Sequence, residues 1–192
     1  MSKVLIAVLV IVGILAMAGM WFVGVSNSLV QKDQNVQSAF SAVDTAMQRR
    51  ADLIPNLVET VKGFAKQETT VFGDIAKARS ALLGAQSPDD KMAANGQLSG
   101  AIGRLLLLQE NYPQLKSNEQ FLRLQDELAG TENRISVERN KYNEVVKDYN
   151  TAVQQFPGSI VAGFTGRTVK QYFKADEGAR VVPKVSFDSP AK

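Results

Sequence analysis

The chain reads as an all-α protein: an N-terminal transmembrane helix followed by a long-helix antiparallel bundle, with a partly extended C-terminal tail. Three observations predict it. No charged residue falls between Lys3 and Lys32, and the stretch from Val4 to Val25 is almost wholly apolar. Apolar residues then recur every seven positions from Leu29 to Leu82, the spacing of a helix seam. A second seven-residue row runs from Phe121 to Phe156, set off from the first by Ser87-Pro88 and Tyr112-Pro113.

At the standard helical rise, Val4 to Val25 covers about 30 Å, the thickness of a bilayer's hydrocarbon core. Leu5, Ile6, Leu9, Leu15 and Phe22 give it apolar surface, and Trp21 stands where an interfacial aromatic anchor belongs. Ala16-Met17-Ala18 has the small-x-small form of a signal-peptidase site. The apolar run continues past it through Met20, Trp21, Phe22, Val23 and Val25, so residues 1–28 read as an uncleaved, single-pass anchor. Lys3 and the amino group flank one end, Lys32 beside Asp33 the other, and a long C-terminal domain crosses largely regardless of charge. The expected topology has the N-terminus inside and the helical domain extracytoplasmic.

Residues 29–157 form the expected bundle. Its first helix, over 29–84, carries one row of Leu29, Val36, Val43, Arg50, Leu57, Phe64, Val71 and Ala78, and beside it Asp33, Phe40, Met47, Ile54, Val61, Glu68, Ile75 and Leu82. Pro55 lies inside it and predicts a kink near Ala51 to Pro55, because proline removes a backbone bond and crowds the preceding turn. A second helix, 88–111, opens with Ser87 as N-cap, Pro88 at the first position and Asp89 and Asp90 at the positive helix end. Asn95-Gly96, Gly100 and Gly103 weaken it at about 1 kcal/mol per interior glycine, which implies fraying or close backbone approach. The third helix, 118–156, opens with a capping box, Ser117 and Gln120. It carries Phe121, Leu128, Ile135, Tyr142, Tyr149 and Phe156 on one stripe and stops at Pro157-Gly158.

The tail, 158–192, combines a short apolar helix around Ile160 to Phe164 with basic residues at Arg167, Lys170, Lys174, Arg180 and Lys184. It either packs back on the bundle or lies on an anionic membrane surface. Val181, Pro183, Val185 and Phe187 alternate as extended chain does.

Composition removes whole classes of function. The chain has no Cys and no His, so disulfides, thiolate or imidazole catalysis and zincin-type metal sites are excluded. No phosphate-binding glycine loop is present, and Gly158, Gly163 and Gly166 lack dinucleotide-site spacing. A net charge of +3 gives no nucleic-acid signature. No cofactor, metal, nucleic acid or small-molecule substrate is expected, and no enzymatic activity.

Several motifs go beyond a generic coiled coil. The run Arg49-Arg50-Ala51-Asp52-Leu53-Ile54-Pro55-Asn56-Leu57-Val58-Glu59-Thr60-Val61-Lys62-Gly63-Phe64 is followed by Tyr112-Pro113-x-Leu115-Lys116, Thr131-Glu132-Asn133-Arg134-Ile135, Tyr142-Asn143, Tyr149-Asn150, Phe156-Pro157 and Pro183-x-Val185-x-Phe187. In this ordered series the chain resembles the LemA family. The resemblance implies a membrane-anchored, all-helical bundle of the bacterial envelope and implies little about activity. Phe40, Phe64, Gln67 and Ser26 depart from residues common in the family, and Gln67 removes a His that is frequent there.

Charges on the seam are the candidate registry devices: Arg50 and Glu68 on the first helix, Glu138 on the third. A charge facing a seam is costly unless paired or snorkelled, and the sharp expectation pairs Arg50 or Arg49 with Glu138 or with a neighbouring subunit. Arg49, Arg50, Asp52, Pro55 and Asn56 together make a polar, proline-bearing patch inside a helix, a local inconsistency that marks interaction sites. Two functions follow. One is a membrane-anchored, non-enzymatic scaffold that self-assembles as a homo-oligomer, because the long first seam exposes more apolar stripe than one returning helix covers. The other is an adaptor docking another membrane or envelope protein, such as a protease or phosphatase, through the Arg49–Asn56 patch.

Overall fold

The computed structural model describes residues 3–173. Its first helix, α1 (Lys3–Lys62), runs unbroken for 60 residues, about 90 Å at the standard rise. Up to Trp21 it is exposed on every side; burial begins at Phe22 and Val25 and continues through Leu29, Val36, Val43 and Met47. The change follows the sequence. Before Ser26 every face is apolar, whereas beyond it the apolar residues hold one stripe. No linker separates the two regions, so the boundary drawn at residue 28 falls in mid-helix.

Beyond α1 come α2 (Thr69–Gly84), α3 (Pro88–Asn111), the single turn α4 (Pro113–Lys116), α5 (Glu119–Gln154) and α6 (Gly158–Thr165). All regular structure among the described residues is helical. Helices α1, α2, α3 and α5 alternate in direction as an up-down-up-down four-helix bundle. The expected 29–84 helix is therefore two helices, and the expected three-helix body is a four-helix one. α1 ends at Lys62, where Phe64 and Ala65 both donate to the Val61 carbonyl at 2.9 Å, and Gly63 supplies the weak helix former at the break. Periodicity could not expose this turn, because it only slips the seam by one residue. Ala65 and Phe72 are buried in place of Phe64 and Val71, and the spacing recovers at Ile75, Ala78 and Leu82.

Ser87 caps α3 by accepting from the Asp90 amide at 3.1 Å. α5 is capped by Asn118, whose Oδ1 accepts from the Phe121 amide at 2.8 Å, and not by Ser117. Gly100 and Gly103 neither fray α3 nor mark close approach, since nothing lies within 4 Å of a Cβ at either. Gly158 does: a Cβ there would meet the Ala152 carbonyl oxygen, so only glycine lets α6 start against the end of α5. Phe156, expected on the α5 stripe, is 77% exposed. The Val181–Phe187 segment lies outside the described residues.

The core runs the length of the α1–α5 seam. Leu57, Val61, Leu105, Leu115 and Phe121 fill the end far from the anchor, and Leu29, Val36, Tyr142, Tyr149 and Val153 fill the near end. α2 and α3 are short, and their hairpin faces α1 as far as Gln37 and Phe40. Nearer the anchor the groove between α1 and α5 is closed by α6 and by the extended residues 167–173.

Candidate functional site

Among the described residues Arg50 is the most buried charge, 5% exposed, and it sits where three helices meet. Its Nη1 donates to Asn95 Oδ1 at 2.9 Å and to Ser99 Oγ at 3.0 Å on α3, and it forms an ion pair with Glu132 on α5. Burial pushes the Arg50 pKa down, and the Glu132 carboxylate opposes that shift. Asn95 and Ser99 lie one turn apart on the same face of α3, and Glu132 lies on α5, so the group fixes the register of α1 against both helices. The seam charge was legible; its partner was not. Glu138, six residues further along α5, instead pairs with Lys141 at 3.1 Å on its own helix. Arg49 makes an exposed contact with Glu127 at 3.8 Å.

One turn later α1 passes through Pro55 without ending. Proline has no N–H, so the Ala51 carbonyl loses its helical donor. Arg79 of α2 replaces it, its Nε donating to Ala51 O at 2.8 Å. Asp52, Pro55 and Asn56 all lie exposed with Arg49 on the outer surface of α1. Glu68 accepts from the Tyr112 hydroxyl at 3.3 Å, bracing the turn before α2 against the start of α4. Burial, followed by the Glu68 charge, raises the Tyr112 pKa.

The third constellation centres on two asparagines. Asn150 donates through Nδ2 to the Lys170 carbonyl at 2.9 Å and accepts through Oδ1 from the Lys170 amide at 2.7 Å. Asn143 treats Phe173 in the same way, at 3.0 and 2.9 Å. The geometry follows from two repeat lengths: seven helical residues rise about 10.5 Å, and three extended residues span about 10 Å. Each side-chain amide thus offers the donor and acceptor that a neighbouring strand would. Tyr142 adds a hydroxyl bond to the Gln171 carbonyl at 3.2 Å. α1 matches the same interval, with Asp33 paired to Lys170 at 2.9 Å and Phe40 stacked on Phe173 at 6.3 Å between ring centroids. Phe173 also packs on Tyr142 at 4.6 Å. This clamp was not singled out from the sequence, although its signal is there: Tyr142-Asn143 and Tyr149-Asn150 repeat at seven, tyrosine inward and asparagine beside it.

Among the anchor residues, Leu5, Ile6, Leu9, Leu15 and Trp21 are exposed, and Phe22 is half-buried against Phe164 at 6.3 Å. The helix is long and apolar enough to cross a membrane. Among the described residues, no group of three or more acidic side chains converges as a metal site would require.

The profile of the LemA family matches residues 39–187. The chain belongs to the LemA family. The matched span covers Arg50, Pro55, Asn143 and Asn150. Magnetosome protein MamQ 2 of Paramagnetospirillum magneticum is 26% identical over 175 residues, 77% of this chain and 64% of that protein. Magnetosome protein MamQ of Magnetospirillum gryphiswaldense is 25% identical over 173 residues, with the same shares covered. Protein LemA of Metamycoplasma hominis is 24% identical over 161 residues, 83% of this chain and 74% of that protein. The chain thus spans 64% of the length of these MamQ relatives. Family and anchor together describe a membrane-associated helical LemA-family protein.

Proposed function

We propose that this LemA-family chain is a non-enzymatic scaffold that self-assembles at the bacterial cytoplasmic membrane, with its N-terminus inside and its bundle outside. The observation carrying this reading is the unbroken α1. A flexible linker would let the bundle tumble, whereas one helix shared by anchor and bundle sets distance and orientation, so neighbouring copies meet in matched poses. The heptad seam no longer supplies the surface for assembly, because α2, α3 and α5 cover it. Exposed Leu122 and Val137 supply apolar contact points on the bundle instead. Relatives named as magnetosome proteins support a membrane setting in bacteria. The absence of Cys and His supports a structural role over a catalytic one.

Mass photometry of the full-length chain in a mild detergent tests this reading. Discrete multiples of the 20.9 kDa chain are expected; a monomer across the accessible concentration range refutes self-assembly. A monomer that co-purifies stoichiometrically with a second protein supports the adaptor reading. The exposed polar face of Arg49, Asp52 and Asn56 favours that alternative docking surface.

A further inference from the structure

α6 has no charged residue, and its two faces are both apolar. Val161 and Ala162 are buried inward, while Ile160 and Phe164 point away from the bundle at 45% and 81% exposure. Phe156, four residues before Ile160, is exposed too. In water, three large apolar side chains at four-residue spacing with no cover are costly. A helix that is apolar all round belongs in a core or in lipid.

Its position decides between them. Phe156 and Gly158 lie beside Ser28 and Leu29 of α1, and at the other end of α6 the Phe164 ring meets Phe22 edge-on. α6 therefore descends along α1 towards the anchor. Phe22 stands three residues inside the end of the apolar run at Val25, about 4.5 Å below it at the helical rise. Gly166, in the left-handed conformation at φ 67°, then turns the chain back, with the Arg167 amide donating to the Ala162 carbonyl at 3.0 Å. From there the chain climbs away past Asp33 to Phe40, held by the asparagine clamp.

From this geometry we infer that α6 is a second membrane contact: the tip of a hairpin that inserts Phe164 and Ile160 into the lipid of the leaflet beside Trp21. Phe156 lies at headgroup level. The inference rests on α1 spanning the bilayer. Its consequence is mechanical, since two contacts held together by the clamp fix the depth and rotation of the bundle, which one span alone leaves free.

The chain has no Cys and one Trp, which makes the test direct. Full-length Phe164→Cys, Ile160→Cys, Phe156→Cys and, as a bundle control, Leu107→Cys are labelled with an environment-sensitive fluorophore. Each is reconstituted in vesicles of phosphatidylethanolamine and phosphatidylglycerol. All four positions are exposed, so helix content is expected unchanged. Quenching by nitroxide-labelled lipid is expected to fall in the order 164, 160, 156, with 107 unquenched by lipid and quenched by aqueous iodide. Quenching at 164 no stronger than at 107 overturns the inference, as does shielding of 164 from both quenchers, the mark of a protein partner. Trp21 in the unlabelled chain, read with brominated lipid, separates the two failures. Quenched Trp21 with unquenched 164 removes α6 alone; unquenched Trp21 removes the span and the inference together.

Discussion

Arg79 supplies the hydrogen bond that Pro55 cannot. The Ala51 carbonyl, four residues before the proline and fully buried, takes Arg79 Nε at 2.8 Å in place of an amide. A proline inside a helix normally costs about 3 kcal/mol, and here part of that cost is offset by ordering α2 against α1. Arg79→Met is expected to destabilise the chain by about 1–3 kcal/mol, the penalty for a buried acceptor left unmade. In a Pro55→Ala background the helix provides its own donor, so the same change is expected to cost much less. Urea melts followed by helical circular dichroism measure all four corners of the cycle; an equal cost in both backgrounds rules the substitution out.

The Arg50 group is expected to be asymmetric. Arg50→Ala removes a buried charge and strands Asn95, Ser99 and Glu132, while Glu132→Gln leaves the arginine buried against a neutral acceptor. Removing one member of such a buried pair costs about 3–5 kcal/mol. Glu132 is itself about half exposed, which places Glu132→Gln below Arg50→Ala. Glu138→Gln removes a pairing with Lys141, an exposed cation one turn away on the same helix, and leaves no buried cation behind, so it is expected to cost clearly less than Arg50→Ala. Thermal melts in one detergent rank the three, and a Glu138 variant as damaging as the Arg50 variant contradicts the assignment.

The asparagine clamp predicts local rather than global loss. Asn143→Ala deletes two main-chain hydrogen bonds at Phe173, together about 1–3 kcal/mol. Hydrogen exchange at the Phe173 amide is expected to accelerate roughly 10–100-fold while amides in the centre of α5 keep their rates. Asn150→Ala is expected to do the same at Lys170. Uniform acceleration along α5 would show that the asparagines hold the bundle and not the strap.

Tyr142 gives the strap a pH dependence. Burial, followed by the nearby Asp89 charge, raises its pKa above the usual tyrosine value of about 10. A raised pKa means that the folded state keeps its proton while the unfolded chain loses it. The stability from Tyr142 is therefore complete below about pH 10 and is lost as pH rises through the folded value. Ionisation also removes the donor to the Gln171 carbonyl. Tyr142→Phe is expected to flatten the alkaline limb of a stability-against-pH curve. The limb that persists belongs to other groups, Tyr112 among them, whose pKa is raised as well. An unchanged limb contradicts the role of Tyr142.

Much of this was legible in the sequence because apolar period reports burial directly. Leu29, Val36, Val43, Leu57 and Val61 are buried as their spacing required, as are Phe121, Leu128, Ile135, Tyr142 and Tyr149. The turn at Gly63 was invisible for the same reason, since the row continues on α2 after a slip of one residue. Arg50 announced itself as a charge on a seam, but a seam position names no partner. Glu132, Asn95 and Ser99 converge only once α3 and α5 are laid beside α1. The clamp escaped because asparagine at an intermediate position looks like solvated surface until the extended chain that it binds is in place.

The central claim is that anchor and bundle are one rigid rod. Spin labels at Gly19→Cys in the anchor and Gln48→Cys in the bundle sit at exposed positions of α1. Their 29 residues of helix predict a separation of about 44 Å. Pulsed electron double resonance on vesicle-reconstituted protein, diluted with unlabelled chain to suppress distances between copies, is expected to give one narrow peak there. A broad distribution, or a mean shortened by a hinge between Trp21 and Leu29, contradicts the account.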